Sequence, residues 1–126
     1  MPVKSHKPST KNILIVEDES EMCLLLNLIL SSGDVQIARV KSLADADSFL
    51  EKEQPSLILL DNRLPDGYGF DYIIHLRANY PSIKIILISG VDKAVRDCAL
   101  EAGADAFLPK PFTKAALLES VTNLLN

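Results

Sequence analysis

Residues 57–61 read Leu-Ile-Leu-Leu-Asp and lead into Asn62, Arg63, Leu64 and Pro65, so a run of four large apolar residues ends on a carboxylate and a turn. Successive side chains of a strand point to opposite faces, so such a run needs cover on both, as central strands of parallel α/β sheets have. In those sheets ligands bind in the crevice outside the carboxyl ends of the strands. The sheet itself would therefore carry Asp61 to the functional edge.

A second segment repeats the pattern. Residues 12–16, Asn-Ile-Leu-Ile-Val, end on Glu17-Asp18-Glu19. Ser20 is placed to cap the helix that follows, Glu21 suits its N-terminal end, and Gly33 stops it after about Ser32. Val35 to Val40 predicts a strand, and Ser42 to Lys52 a helix with Leu43, Ala46, Phe49 and Leu50 on one face. Beyond the Asp61 strand, Pro65, Asp66, Gly67 and Gly69 predict a turn, and Phe70 to Asn79 a helix. Ile83 to Ile88 predicts a strand ending on Ser89-Gly90, Lys93 to Ala102 a helix closed by Gly103, and Ala106 to Leu108 a short strand ending on Pro109-Lys110-Pro111. Thr113 then caps a last helix that runs nearly to Asn126.

Five strand-then-helix units in strict alternation predict one doubly wound parallel α/β sheet. Right-handed crossovers and this size favour the order 2-1-3-4-5. The first and third strands are then neighbours, so Glu17, Asp18 and Asp61 share one crevice, with Ser89 and Lys110 on adjoining strand ends. A length of 126 residues, 48% of them hydrophobic, supplies the core of a single domain.

Charge and cysteine content narrow the function classes. Lys4, Lys7 and Lys11 put three positive charges into the first eleven residues, so the chain's net −4 is −7 without them. That balance argues against nucleic acid as a partner of the folded body. Residues 1–11 carry no apolar periodicity and read as a disordered basic tail, leaving 12–126 as the folded domain. Cys23 and Cys98 have neither CxxC spacing nor a metal context, which favours a reduced, cytoplasmic setting. No apolar run approaches the roughly 18 residues of a membrane span.

Three carboxylates within about 5 Å of one another repel by about 3 kcal/mol per pair at an effective dielectric near 20. A cation relieves that cost, and hard oxygen donors suit Mg²⁺, with Mn²⁺ able to substitute. Zinc is disfavoured because neither His6 nor His75 lies near the strand ends, and both read as surface residues. A metal-held carboxylate beside an ammonium and a hydroxyl is equipped to accept a phosphoryl group. Asp61 is then the nucleophile, Lys110 and Ser89 each hold a phosphoryl oxygen, and Asp18 with Glu17 binds the metal, Glu17 directly or through water.

From Asn12 to Leu125 the chain resembles the receiver (response-regulator) domain of two-component phosphorelay signalling. The likeness is carried by Glu17-Asp18 after the first strand, Asp61 followed by Leu64-Pro65 and Gly69, Ser89-Gly90 after the fourth strand and Lys110-Pro111 after the fifth. It implies a flavodoxin-like (βα)5 fold, and phosphoryl transfer to Asp61 from a histidine kinase or histidine phosphotransfer protein with Mg²⁺. It also implies a metal ligand in the Arg63 backbone carbonyl and a cis Lys110-Pro111 bond. A switch is implied as well: Ser89 moves toward the phosphoryl group, Phe107 turns inward, and the face of the fourth helix, fifth strand and fifth helix signals to an output domain or protein. Phe107 stands where the family often has Tyr, so the ring reports by shape and not through a hydroxyl. The domain is expected to be no enzyme beyond self-catalysed phosphotransfer and aspartyl-phosphate hydrolysis, and to be a monomer or a phosphorylation-dependent dimer. With no output domain in the chain, it is either a stand-alone receiver or one cut from a larger regulator or hybrid kinase; the helix end at Asn126 favours the latter.

Rival readings fit less well. A haloacid-dehalogenase-type phosphatase wants a second Asp two places after the nucleophile, where Arg63 stands; Arg63 itself either gates water or faces solvent. A flavodoxin wants a Ser/Thr-rich loop where Glu17-Asp18-Glu19 stand. Gly67 and Gly69 form no phosphate-cradling motif and read as turn and packing glycines. A receiver-like docking module working without phosphate keeps the fold but leaves the acidic cluster without a use. In the first helix, Met22, Leu25, Leu26, Ile29 and Leu30 are expected to face the core. Leu24 and Leu28 then form an outer stripe on which a helical phosphodonor could dock.

Overall fold

The computed structural model describes residues 11–31, 34–90 and 92–126. The expected tail before Lys11 and the helix stop at Ser32-Gly33 lie outside them. Twelve elements follow: β1 (Lys11–Val16), α1 (Ser20–Leu30), β2 (Val35–Val40), α2 (Leu43–Leu50), β3 (Leu57–Asp61), β4 (Arg63–Leu64), β5 (Gly67–Tyr68), α3 (Gly69–Asn79), β6 (Lys84–Gly90), α4 (Lys93–Ala102), β7 (Ala106–Lys110) and α5 (Lys114–Leu125). The main sheet is parallel in the order β2-β1-β3-β6-β7. Counted without β4 and β5, that is 2-1-3-4-5. The short pair forms its own antiparallel ladder, Arg63 against Tyr68 and Leu64 against Gly67, where the sequence predicts only a turn. Lys11, assigned to the tail by sequence, begins β1 and pairs with Val35.

The apolar runs are continuous because the sheet is covered on both sides. Leu14, Val16, Ile58, Leu60, Ile85 and Leu87 pack with α2, α3 and α4 residues such as Ala46, Leu50, Ile73, Leu76 and Ala99. The alternating partners Ile13, Ile15, Leu57, Leu59, Ile86 and Ile88 pack with Cys23, Leu26 and Ile29 of α1 and Leu117 and Val121 of α5. All five residues of β3 are buried. At roughly 1.5–3 kcal/mol per fully buried large side chain, disturbing its four apolar residues would be costly.

Helix ends follow the side chains available. Ser42 Oγ accepts the Asp45 amide at α2, Asp92 Oδ1 those of Ala94 and Val95 at α4, and Thr113 Oγ1 that of Ala116 at α5. At α1 the expected Ser20 cap is corrected. Ser20 is the first helical residue, and Glu19 holds the cap position without a side-chain bond. At the far end of α3, Arg77 donates to the carbonyls of Gly103 and Ile83 and pairs with Asp105. Gly103 closes α4 at φ 122°, and a Cβ there would lie 2.5 Å from Arg77 Cγ.

Candidate functional site

Parallel register brings the polar strand ends together. Val16 pairs with Leu60, so Glu17 follows β1 where Asp61 ends β3. Asp61 pairs with Ile88 of β6, which puts Ser89 one residue further on; Ser89 pairs with Pro109 and Gly90 with Lys110 of β7. Across this edge Lys110 Nζ donates to Asp61 Oδ1 at 2.8 Å. The Lys110–Pro111 peptide bond is cis.

Both Asp61 and Glu17 are buried, at 5% and 1% exposure, while Asp18 is exposed. Burial raises the Asp61 carboxyl above its usual range, against which the Lys110 hydrogen bond and charge favour the anion. Burial also works against the Lys110 ammonium, but the Asp61 bond and charge, with Glu17 and Glu19 adding, outweigh it and hold its pKa above the ordinary lysine value. Glu17 is pushed up to about 7 by burial; the Glu19 N–H, donating to Glu17 Oε2 at 3.0 Å, opposes the shift and the Asp61 charge adds to it.

The carboxylates meet the requirements of a hard cation. One ligand oxygen from each of Glu17, Asp18 and Asp61 lies within 4.8 Å of the others. Glu17 Oε1 is buried and has no hydrogen-bond partner among the described residues. An orphaned buried acceptor costs about 1–3 kcal/mol, which a cation or its bound water would recover. An all-oxygen anionic donor set suits Mg²⁺ or Mn²⁺ rather than zinc.

Three residues that sequence reading passed over or took as turn residues shape this edge. Asn62 is buried; its Oδ1 accepts the Phe70 N–H at 3.1 Å and its carbonyl the Gly69 N–H at 2.8 Å, so it closes the start of α3 onto the nucleophile's strand. Gly69 lies so close that a Cβ there would sit 2.5 Å from the Asp61 carbonyl oxygen. Asp66 Oδ1 and Oδ2 accept the N–H groups of Leu43 and Ala44, 2.9 Å each, at the start of α2. Those two bonds lower the Asp66 pKa. An Asn between a strand-end carboxylate and a turn is a readable signal for the first; nothing local signals the partner of Asp66.

Residues 13–122 match the family model described as response regulator receiver domain. The chain belongs to that family. Receiver domains are signalling phosphoacceptors. This receiver domain is 36% identical over 118 residues to the transcriptional regulatory protein GltR of Pseudomonas aeruginosa, covering 91% of this chain and 49% of that protein. It is 32% identical to the response regulator protein PilR of the same organism, covering 93% of this chain and 26% of PilR. The chain thus spans half or less of these relatives. Among solved structures, the receiver domain of a signal transduction histidine kinase from Syntrophus aciditrophicus superposes with a TM-score of 0.84 at 31% identity, covering 92% of this chain and 90% of that one. The beryllofluoride-activated NtrC4 receiver domain dimer gives 0.87 at 28%, covering 92% and 97%.

Further from the acidic cluster, Phe107 of this receiver domain pairs with Leu87 and is half-buried against the core on the α3–α4 side. It borders a cavity of about 550 Å³ together with Lys93, Arg96, Leu100 and Pro109. Arg63 is exposed. On α1 the expected inward arc is corrected: Cys23, Leu26, Ile29 and Leu30 are buried, Met22 is half-buried, and Leu25 is 44% exposed. Leu24 and Leu28 are 61% and 66% exposed. His75 is a surface residue beside Asp47, and Cys23 and Cys98 are unpaired. Among the described residues no helix is long and apolar enough to cross a membrane.

Proposed function

We propose that Asp61 is the phosphoacceptor, taking a phosphoryl group from a histidine kinase or histidine phosphotransfer protein in a Mg²⁺-dependent reaction. The observation that carries this reading is the buried Asp61 carboxylate, bonded to Lys110 and grouped with Glu17 and Asp18 at the end of the central strand. An Asp61 carboxylate oxygen attacks the phosphorus of a phosphohistidine, the P–N bond breaks, the imidazole leaves, and an acyl phosphate remains. Lys110 favours the Asp61 anion and then holds a phosphoryl oxygen; the Ser89 hydroxyl holds a second. Glu17, Asp18, Asp61 and the Arg63 carbonyl would bind Mg²⁺, which when bound neutralises charge on the transferring oxygens. As Ser89 moves to the phosphoryl group, Phe107 turns inward and the surface of α4, β7 and α5 changes for an output domain or protein. Leu24 and Leu28 dock the phosphodonor beside the Asp18 end of α1.

Incubation with acetyl phosphate and Mg²⁺ is expected to add one phosphoryl mass to the wild type and none to Asp61→Asn. Full labelling of Asp61→Asn would refute the assignment. A wild type that never gains mass would favour a docking module that works without phosphate.

A further inference from the structure

The hairpin of β4 and β5 is fastened at both ends. Its base is held by Asn62, which accepts from Gly69 and Phe70. Its tip is held by Asp66, whose two carboxylate oxygens take the first two amides of α2. Among the described residues, the two Asp66 bonds are the side-chain hydrogen bonds that join 63–68 to another element. Between the fastenings the ladder pairs Arg63 with Tyr68 and Leu64 with Gly67, so tip and base move together. The tip is also seated on α2, since a Cβ at Gly67 would lie 3.0 Å from Leu43 Cδ1.

We infer that Asp66 is a positioning residue for the cation site: by clamping the hairpin tip to the N-terminus of α2, it holds the Arg63 backbone where its carbonyl can join Glu17, Asp18 and Asp61. This rests on the cation reading above and adds a residue that touches neither metal nor phosphate. Two charge-assisted bonds from one carboxylate to adjacent amides fix position and orientation together, which one bond would not. A metal needing near-ideal octahedral geometry is sensitive to such a displacement, because a carbonyl out of place is lost as a ligand and leaves its position to water.

The competing role, a plain helix cap, is separable. Ser42 caps the same helix end through Asp45 and bonds to nothing in the hairpin. Mg²⁺ affinity of the full chain, measured by calorimetry for wild type, Asp66→Ala, Asp66→Asn and Ser42→Ala, therefore distinguishes them. Asp66→Asn keeps an acceptor for only one of the two amides. Groups that orient a ligand without touching the metal typically govern affinity by about 10–100-fold, so both Asp66 variants are expected to raise Kd by roughly tenfold. Ser42→Ala is expected to leave Kd unchanged while speeding amide exchange at the start of α2. Unchanged Kd in both Asp66 variants, with faster exchange in all three, would reduce Asp66 to a cap and overturn the clamp alone. A wild type that binds no Mg²⁺ would overturn the cation reading and the clamp with it.

Discussion

One oxygen of Glu17 is satisfied by the Glu19 amide and the other is orphaned, so ionising this residue without metal is costly, and burial pushes its pKa up to about 7 from 4.5. Because the folded value lies above the unfolded one, the proton favours the folded state. The associated stability is fully present below about pH 4.5 and is lost as pH rises through 7, on the order of 3 kcal/mol in all. In EDTA the wild-type Tm is therefore expected to fall between pH 5 and pH 8, and Glu17→Gln to show a flatter profile. Excess Mg²⁺ should offset the fall in the wild type, since the metal takes the proton's place. Parallel profiles for the two proteins in EDTA would remove Glu17 as the source. Simple repulsion among three carboxylates would make neutralising Asp61 stabilising too. The 2.8 Å bond from Lys110 works against that, because Asp61→Asn also deprives a half-buried ammonium of its partner.

At the scale of elements, α1 is where sequence periodicity was least decisive. Residues 22–30 are apolar except Asn27, so several rotations of the helix satisfy the core, and the pattern pointed to Leu25 where packing on Ile13 and Ile15 selects Cys23. Both rotations leave Leu24 and Leu28 outside. Among the other helices, α2, α4 and α5 have a local side-chain cap, and Thr113 was legible for that reason, whereas Ser42, read as the first helical residue, proves to be the cap of α2. Asp66 was not legible, because its partners are 22 and 23 residues away and only the fold brings them near. The exposed leucines can be changed without opening the core, so Leu24→Lys and Leu28→Lys are expected to alter stability by no more than about 0.5 kcal/mol. They should slow phosphotransfer from the cognate donor while leaving acetyl phosphate labelling intact. Equal transfer rates in wild type and both variants would exclude α1 as the docking helix.

Across the whole molecule, strand alternation and the carboxylates at strand ends were enough to foresee both the sheet order and the convergence of Glu17, Asp18 and Asp61. Both follow from rules of chain direction that act on every parallel sheet. The same sheet offers a route from Asp61 to the far edge: Asp61 pairs with Ile88, Ser89 with Pro109, and Phe107 sits two residues back on β7 against Leu87. Phe107 is half-buried beside a cavity of about 550 Å³ bordered by α4 residues, so its ring has space on one side and core on the other. The proposed switch would turn this ring from the cavity side toward the core, a population shift between two packings. Beryllofluoride with Mg²⁺, standing in for the phosphoryl group, is expected to shift amide resonances of α4, β7 and α5 as well as those around Asp61. Phe107→Ala should shrink the distant shifts while the local ones persist, because it removes the ring proposed to turn and leaves Asp61, Lys110 and the acidic cluster untouched. Shifts confined to the loops around Asp61 in the wild type would mean that this edge of the sheet does not respond to the site.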